Sequence, residues 1–260
     1  MAAASGVNSV VRALGILQAF AQVNEALTLG ELSAKLGMPK SSVHRLVSTL
    51  EQEGFLARHA ESGRYRLGLA VLRLAGPAIA SIDLRKIARP ALEDLARELQ
   101  DTVHLAVLDR GDVIYIDKIE SPSRIQMVSH IGGRVPAHCT GLGKAMLAYL
   151  EPNEVRQIVE ERGLSAYTPA TITSMDVLTE ELAAIRERGY AVDEGEHESM
   201  VRCVAAPIHD ARRQVMGAVS ATTVVAGWEA EHRAAMTRAV VGVARSISVT
   251  LGAPEPAGSR

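Results

Sequence analysis

The sequence predicts an α+β protein built from two domains, and three observations lead to that prediction. The chain has 260 residues, more than the roughly 100–150 residues usual for one domain. Its first part reads as three helices followed by a β-hairpin, and the rest mixes strand-like runs with amphipathic helices. A hydrophobic content of 47% with 22% charged residues is typical of a globular chain and excludes a disordered one.

The first helix is predicted over residues 9–21, because Val10, Leu14 and Leu17 recur at helical spacing. Gln18 interrupts the apolar run, which favours an amphipathic helix over a secretory signal peptide. No run approaches the roughly 20 apolar residues of a membrane span. We therefore expect a cytoplasmic protein that does not associate with a membrane.

The second helix has start and stop signals. Thr28 to Glu31 matches the S/T-x-x-E capping box, in which a hydroxyl and a carboxylate satisfy orphan amides at a helix start. Leu29, Leu32 and Leu36 form one apolar face, and Gly37 can take the left-handed position that ends the helix.

A third helix and a hairpin complete the first domain. Pro39 suits the first turn of the third helix, and Gly54 ends it. Apolar residues recur at i, i+3, i+4 and i+7 along this helix, namely Val43, Leu46, Val47 and Leu50. Two short strands follow at residues 55–59 and 64–67, around a turn at 61–63. This order of elements is that of a winged helix-turn-helix domain, predicted over residues 1–68.

Residues 69–100 read as helical, with Pro77 and Pro90 as breaks or kinks. We interpret residues 69–88 as a linker helix and residues 89–253 as a second domain with a largely antiparallel sheet. Residues 254–260 are predicted to be a disordered tail. Strands are predicted at 103–109, 113–119, 125–128, 190–193, 203–209 and 215–223, and helices at 138–150, 152–162, 176–188 and 229–251.

The charge is distributed unevenly over these domains. Seven Lys and Arg against five Asp and Glu give the first 68 residues a net charge of +2. Because the whole chain has a net charge of −2, the remaining residues carry −4. A uniformly basic nucleic-acid coat is excluded, whereas a local basic head is not.

One face of the third helix carries small hydroxyls and cations opposite its apolar stripe. A helix in the major groove of double-stranded DNA needs such side chains, which reach base edges and phosphates without bulk. The candidates on this helix are Lys40, Ser41, Ser42, His44, Arg45, Ser48 and Thr49, with Arg45 the best candidate for a base contact. Arg58, Arg64 and Arg66 of the hairpin could reach flanking phosphates. The alternative is an ordinary solvated helix face, which the capping box, turn, proline and basic hairpin together make the weaker interpretation.

The stretch from Gly132 to Ala145 is the richest in unusual residues. It does not match a Walker A loop, because His138 and Ala145 replace the first glycine and the Ser/Thr. It does not match a dinucleotide-binding loop, since Met146 replaces the third glycine, and no G-x-S-x-G motif occurs in the chain. Glycines at a helix start expose amides, so we expect a binding loop for an anion such as a carboxylate.

Cys139 and Cys203 form no CxxC pair, so neither a disulfide framework nor a structural zinc site is indicated. His138 beside Cys139 leaves a thiol nucleophile as an alternative, and His130, His138 and Cys139 with Cys203 leave a metal site as another. Neighbouring residues on a helix point in different directions, and the spacing does not require a metal. We therefore predict no catalytic residue, no metal and no cofactor.

A second informative stretch is the acidic run from Asp193 to Glu198. A solvated loop is an equal alternative for its members other than Asp193. Further along, Ser220 and Thr222 are two residues apart on a predicted strand, so their hydroxyls share one face.

Several motifs together resemble the IclR family of bacterial transcriptional regulators, in the family's order and over about residues 8–251. They are the segments 39–46 and 54–56, 134–145, 189–196 and 202–208. The resemblance implies a GAF-like effector-binding domain for small organic acids or aromatic degradation products. It also implies a homodimer, often a dimer of dimers, on a roughly palindromic operator.

The resemblance places the effector site at positions that include the loop 125–135. The other positions that we assign to it are Thr140, Gly141, Leu142, Met146, Asp193, Cys203, Ser220 and Thr222. Met127, Met146 and Met200 would form an adaptable apolar wall. Thr222 stands where many relatives carry serine in a Ser-x-Ser-Gly pattern, so we expect a ligand of different shape.

We therefore expect a ligand-responsive repressor of a catabolic operon. The alternatives are an enzyme that acts on the ligand through a C-terminal thiol, and an architectural DNA-binding oligomer without effector.

Overall fold

The computed structural model describes residues 7–21, 26–74, 83–121 and 129–254. The chain divides into two compact units, Met1–Ile82 and Asp83–Arg260. Predictions for Pro77, the strand at 125–128 and the tail at 255–260 lie outside the described residues. No helix in the described part of the chain is long and apolar enough to cross a membrane.

The N-terminal unit has the predicted order of helices and hairpin. Its described elements are α1 (Asn8–Ala21), α2 (Leu29–Leu36), α3 (Lys40–Gln52), β1 (Leu56–Arg58) and β2 (Tyr65–Leu67), with a further helical stretch at 70–74. β1 and β2 pair antiparallel, and Leu27 exchanges both backbone hydrogen bonds with Tyr65. The core includes Ile16, Phe20, Leu32, Val43, Val47, Leu56 and Tyr65, which confirms the predicted apolar faces of α2 and α3.

Local signals at the ends of α2 form as predicted. The Glu31 N–H donates to Thr28 Oγ1 (3.2 Å), and the Thr28 N–H donates to Glu31 Oε2 (2.7 Å). Gly37 ends the helix with φ 61°. The prediction for Pro39 is wrong by one position: it is the N-cap of α3, with ψ 139°, and its carbonyl accepts the first helical hydrogen bonds.

The C-terminal unit has the predicted alternation of strands and helices. Its described elements are α4 (Asp83–Leu99), β3 (Thr102–Asp109), β4 (Asp112–Ile119), β5 (Arg134–Pro136), α5 (Gly141–Leu147), α6 (Pro152–Arg162), α7 (Met175–Arg188), β6 (Ala191–Asp193), β7 (Val201–His209), β8 (Val215–Val224) and α8 (Ala230–Thr250). The described strands form one antiparallel sheet in the order β5-β4-β3-β8-β7-β6. This confirms the predicted antiparallel sheet and adds β5, a short edge strand that the sequence pattern did not indicate.

Helices cover both faces of this sheet. α4 and α8 pack against each other, α4 also packs against β3, and α8 packs against β7. A Cβ on Gly217 of β8 would lie 2.9 Å from Leu84 of α4. Ala218, the next residue, belongs to the core on the opposite face, with Leu142 and Ala145 of α5. Because side chains alternate along a strand, Ser220 and Thr222 also point to the α5 face.

Pro90 was predicted to be a break or a kink in a helix. It is not a break, because α4 runs from Asp83 to Leu99 through this residue. A proline inside a helix costs about 3 kcal/mol or more. Ala88, Leu92 and Leu95 of the same helix are fully buried, and each buried leucine contributes about 1.5–3 kcal/mol. Packing therefore outweighs the proline. The predicted domain boundaries after residues 68 and 88 stay predictions, although α4 is continuous across the second.

A register shift between β3 and β4 presents a buried carboxylate to α4. Leu105 pairs with Asp117 whereas Ala106 pairs with Tyr115, so Asp117 and Tyr115 point to opposite faces. Arg89 donates to Asp117 Oδ1 (2.8 Å), and Arg85 lies 3.4 Å from Oδ2. The two arginines fasten α4 to the sheet.

Candidate functional site

The polar face of α3 is open, as the sequence predicted. Its exposed members are Lys40, Ser41, His44, Arg45 and Thr49, while Ser42 and Ser48 are half-buried. Val43 and Val47 are fully buried on the other side. The packing of this apolar face of α3 against the core fixes the direction in which the cations and hydroxyls of the polar face point.

The arginines of the hairpin have different surroundings. Arg58 lies over the ring of Tyr65 (5.7 Å to the centroid) and is exposed, as is Arg66. Arg64 instead forms an ion pair with Glu31 (2.8 Å). The Thr28 backbone N–H and hydroxyl, and then Arg64, hold the pKa of Glu31 below its usual value. Arg64 therefore links the hairpin to the start of α2, and Arg58 and Arg66 are the freer candidates for phosphate contacts.

A small polar cavity lies in the C-terminal unit at the start of α5. It measures ≈ 70 Å³, room for roughly two water molecules. It is lined by His104, Tyr115, Ser129, Thr140, Gly141, Leu142, Asp193, His197, Glu198, Val201, Cys203, Ser220 and Thr222. Seven of the predicted effector positions therefore come together, from α5, β6, β7 and β8.

Met146 is the exception among the predicted positions. It is fully buried in the hydrophobic core and does not line the cavity. Met146 follows Leu142 by four residues, which places it about 6 Å further along the helix. Met200, the other described member of the predicted methionine wall, is 64% exposed and is not a lining residue either.

The glycines at the start of α5 are required by close packing. A Cβ on Gly141 would lie 2.5 Å from Cys203 Sγ, and a Cβ on Gly143 would lie 2.1 Å from the Ala137 carbonyl oxygen. Thr140 caps the helix, because its Oγ1 accepts the Gly143 N–H (3.3 Å). The same short glycine segment that suggested an anion loop is thus explained first by the approach of α5 to β7 at Gly141 and to Ala137, the residue after β5, at Gly143.

Asp193 shapes the loop that borders the cavity. Its Oδ1 accepts the N–H groups of Gly195 (2.9 Å) and Glu196 (2.8 Å). Burial raises the pKa of Asp193, although these hydrogen bonds and the charge of Lys144 oppose the shift. Asp193 therefore positions the segment that carries His197 and Glu198, besides lining the cavity itself.

His104 on β3 is a cavity residue that the sequence reasoning missed. Its Nε2 lies 2.7 Å from Ser129 Oγ, its Nδ1 lies 3.4 Å from Thr222 Oγ1, and its ring stands beside Tyr115. Burial, and then the charge of Lys118, lower the pKa of His104 to about 3, so the imidazole is neutral. The signal available was a polar side chain between the apolar Val103 and Leu105 of the predicted strand.

Ser220 is a buried polar group of the cavity that lacks a partner among the described residues. Its Oγ is buried and makes no hydrogen bond with any described residue. A buried hydroxyl without a partner costs about 1–3 kcal/mol. A ligand that hydrogen-bonds to Ser220 would recover that cost.

Neither thiol has the surroundings of a nucleophile. Cys139 and Cys203 are free and buried. Burial, and then the charge of Asp193, raise the pKa of Cys139 to about 12 and that of Cys203 well above its usual value. Both thiols stay protonated, and a reactive cysteine needs the thiolate.

The residues of the alternative metal site, His130, His138, Cys139 and Cys203, do not form a cluster of ligands. His130 is exposed, and His138 Nε2 lies 3.1 Å from the Ser165 carbonyl oxygen. Within the described ranges, no group of three or more His, Cys, Asp or Glu residues could hold a metal ion.

A buried ion pair beside the cavity was also missed. Lys144 of α5 is 2% exposed, donates to the Val192 carbonyl (2.8 Å) and pairs with Glu196. Burial raises the pKa of Glu196, while Lys144 opposes the shift. No local signal identifies this pair, because the two residues are 52 positions apart.

Comparison with known proteins identifies the chain's relatives. A family model described as the IclR helix-turn-helix domain matches residues 9–60, and one described as the C-terminal part of the bacterial transcriptional regulator IclR matches residues 77–249. The transcriptional repressor IclR of Escherichia coli is 38% identical over 216 residues, which cover 82% of this chain and 79% of the relative.

Solved structures agree with these matches. The crystal structure of the Thermotoga maritima IclR has a TM-score of 0.75 and 31% identity, covering 95% of this chain and all of the other. An IclR homologue from Microbacterium hydrocarbonoxydans, solved with 4-hydroxybenzoate, has a TM-score of 0.78 at 24% identity and covers 93% and 99% of the two chains. The second likeness concerns the fold alone.

The matched families are those of transcriptional regulators and not of enzymes, in accordance with two protonated thiols. Both models match in the order of the two units, and together they cover most of the chain. This protein therefore belongs to the IclR family of bacterial transcriptional regulators.

Proposed function

We propose that the chain is a cytoplasmic repressor of a catabolic operon that binds a palindromic operator and is released by a small organic or aromatic acid. The observation that carries the proposal is the polar cavity at the start of α5, where Ser220 is left without a partner. A protein that only bound DNA would need no such group in its core, because an unsatisfied buried hydroxyl is destabilising.

The effector class is inferred from the uncharged hydrogen-bonding groups of the cavity, because its two lining carboxylates, Asp193 and Glu198, repel the carboxylate of a ligand and leave the hydroxyls and the imidazole to bind it. Hydroxyl groups of Ser220, Thr222 and Tyr115 and the neutral imidazole of His104 suit a ligand with oxygen atoms and little charge beyond one carboxylate. The IclR homologue that was solved with 4-hydroxybenzoate supports an acid of this size. Such a ligand exceeds the ≈ 70 Å³ of the cavity, so its binding requires lining side chains such as His197 and Glu198 to move.

Operator recognition is assigned to the exposed face of α3, with Arg45 as the reader of a base. A bidentate contact of an arginine with guanine contributes about 1–3 kcal/mol of discrimination. Arg45→Ala is expected to weaken specific binding by about 5- to 150-fold in a gel-shift assay with the DNA upstream of the protein's own gene. Arg12→Ala, an exposed arginine of α1, is the matched control. Equal affinities of the two variants would contradict the assignment.

A palindromic operator requires two copies of α3, and exposed apolar residues support the pairing of two chains. Val10, Val11 and Leu14 of α1 are more than half exposed, as are Val7, which precedes the helix, and Leu69, Leu72 and Leu74. Covering such a stripe in an oligomer removes apolar surface from water. Val11→Glu should shift sedimentation velocity towards a smaller species, and an unchanged oligomer would exclude α1 from the interface.

Effector binding is tested by calorimetry with a panel of small organic and aromatic acids, beginning with 4-hydroxybenzoate. We expect at least one acid to bind and to release operator DNA, and Ser220→Ala to weaken its binding about 5-fold or more. Ser174→Ala is the control, because this serine precedes α7 without a side-chain capping bond. If no acid binds, or if both variants bind it equally, the proposed class or site is wrong.

A further inference from the structure

A second and larger cavity in the C-terminal unit shares no lining residue with the cavity described above. It measures ≈ 740 Å³ and opens between α8 and the end of β7. Small residues line it on the side of the sheet and the helix, namely Ala206, Pro207, Val241 and Ala244. Its volume falls within the range of about 300–1,000 Å³ found for small-molecule sites.

The sheet edge at this cavity is closed to a further strand. β6 pairs with β7 only from Cys203 to Ala205, so the rest of β7 is an edge. Pro207 has no N–H to donate, and the His209 N–H already donates to Ser248 Oγ (2.9 Å). An edge without free donors does not add a peptide strand, which favours a small ligand.

The chemistry of the rim points to a ligand with one anionic end. The Arg213 guanidinium lines the cavity and makes no ion pair or hydrogen bond with any described residue, and Arg245 lies at the same cavity. Asp210 is the acidic residue of the turn that carries Arg213, and it does not line the cavity. Its Oδ1 accepts the N–H groups of Arg212 and Gln214 and not the Arg213 guanidinium.

The remaining walls are apolar or uncharged. The rings of Tyr149 and His209 stand edge to face with centroids 4.8 Å apart. Burial lowers the pKa of His209, against the charge of Asp210, so the imidazole is neutral near pH 7. Aromatic edges and small aliphatic side chains beside a free cation are suited to an apolar chain that ends in a carboxylate.

We propose that this cavity is a second ligand site, distinct from the effector cavity, which binds an amphiphilic monocarboxylate. Its carboxylate pairs with Arg213, and its apolar tail lies along Ala206, Pro207 and Ala244. A ligand bound there contacts α8 and β7 together. Binding at this site is independent of Ser220, which lines only the smaller cavity.

The backbone of Arg213 provides a variant that does not weaken the fold. Arg213 has φ 62°, and Arg110, in the β3–β4 hairpin, has φ 50°. Glycine adopts this left-handed region without strain. Arg213→Gly and Arg110→Gly therefore remove the same charge from the same backbone conformation, and only Arg213 lines the cavity.

The test is calorimetric titration of the full chain with decanoate, and with decan-1-ol as the uncharged probe. We expect saturable 1:1 binding of decanoate, at least 5-fold weaker binding to Arg213→Gly, and unchanged binding to Arg110→Gly and Ser220→Ala. Decan-1-ol should bind the wild type as weakly as decanoate binds Arg213→Gly. The absence of saturable binding, or equal binding to the two glycine variants, would overturn the proposal.

A second copy of the chain is the competing occupant, and Val249→Glu distinguishes it. Val249 lines the cavity and is 40% exposed, so a glutamate there is tolerated and repels an anionic ligand. We expect this variant to lose decanoate binding and to keep the oligomeric state of the wild type in sedimentation velocity. Dissociation into smaller species would show that the surface is a subunit interface, and the ligand site would be rejected.

Discussion

Replacing Lys144 by methionine removes one partner of a buried ion pair and keeps most of the side-chain volume. Lys144 is 2% exposed and holds both Glu196 and the Val192 carbonyl. Glu196 Oε2 already lacks a hydrogen-bond partner among the described residues. Without the ammonium group, Glu196 must either stay ionised in the core or take up a proton.

The free energy needed to protonate Glu196 follows from the ordinary glutamate pKa of 4.5. Neutralising a carboxylate costs about 1.4 kcal/mol for each pH unit above that value. Protonating Glu196 in the folded variant therefore costs about 4 kcal/mol near pH 7.5 and about 1.4 kcal/mol near pH 5.5. The wild type already carries much of this cost, because burial raises the pKa of Glu196 to about 7 even beside Lys144. About 4 kcal/mol is therefore the upper limit for the deficit of the variant relative to the wild type near pH 7.5, and it lies within the roughly 3–5 kcal/mol found when one partner of a buried pair is removed.

The pH dependence has a definite sign. Burial raises the folded-state pKa of Glu196 above its unfolded value, and removal of Lys144 raises it further, because Lys144 lowers it in the wild type. The folded variant then binds more protons than the unfolded chain at every pH between 4.5 and the new pKa. Its stability falls as the pH rises through this window. The wild type loses stability in the same way up to its own raised pKa of about 7, so the deficit of the variant relative to the wild type grows above that pH.

Trp228 is the single tryptophan of the chain and lies in the C-terminal unit, so urea unfolding followed by its fluorescence reports on that unit. Lys86→Met, at an exposed lysine of α4, is the control and should change stability by less than about 0.5 kcal/mol. The double variant Lys144→Met, Glu196→Gln should recover most of the loss near pH 7.5. A pH-independent deficit, or a deficit no larger than that of Lys86→Met, would refute the argument.

Three further predictions concern local features. Thr28→Ala should destabilise the N-terminal unit by about 0.5–2 kcal/mol in thermal unfolding followed by circular dichroism, through loss of the capping box. Gly143→Ala should destabilise the C-terminal unit by about 2 kcal/mol or more, since its Cβ would meet the Ala137 carbonyl at 2.1 Å; Gly242→Ala in α8, with nothing within 4 Å, should be neutral or stabilising by up to about 1 kcal/mol. Cys139, with a pKa of about 12, should react with iodoacetamide near pH 8 only after urea unfolding, and rapid labelling of the folded chain would contradict its protonated state.

The fold was predictable wherever a local signal decides local structure. Thr28, Glu31 and Gly37 mark the ends of α2 through bonds to residues three to five positions away. The apolar stripe of α3 determines its exposed face, since side chains on one helix have a fixed angular relation. The chain order of helices and strands followed from hydrophobic periodicity in the same way.

Pro90 and β5 show where such signals fail. A proline predicts a break in an isolated helix, but α4 is held by its buried face against the sheet. β5 has only three residues and is a strand because Val135 pairs with Val113. In both cases the free energy comes from contacts with residues distant in the sequence.

The residues of the cavity also fall into those that local motifs identify and those that only the fold brings there. The motifs near Gly141 and Asp193 were identified from the sequence, and the structure brings them together with Ser220. Whether a given side chain lines the cavity depends on the direction in which it points in the folded chain. His104 points into the cavity, whereas Met146 points into the hydrophobic core.

By itself, the sequence determined the order of elements, the exposed face of α3 and the family resemblance, because each depends on residues a few positions apart. Only the tertiary structure decided that Lys144 meets Glu196 across 52 residues, that Ser220 lacks a partner and that both thiols are buried. Burial and the pKa shifts that it causes depend on which distant segments exclude water from a group, and no local pattern in the chain encodes that exclusion.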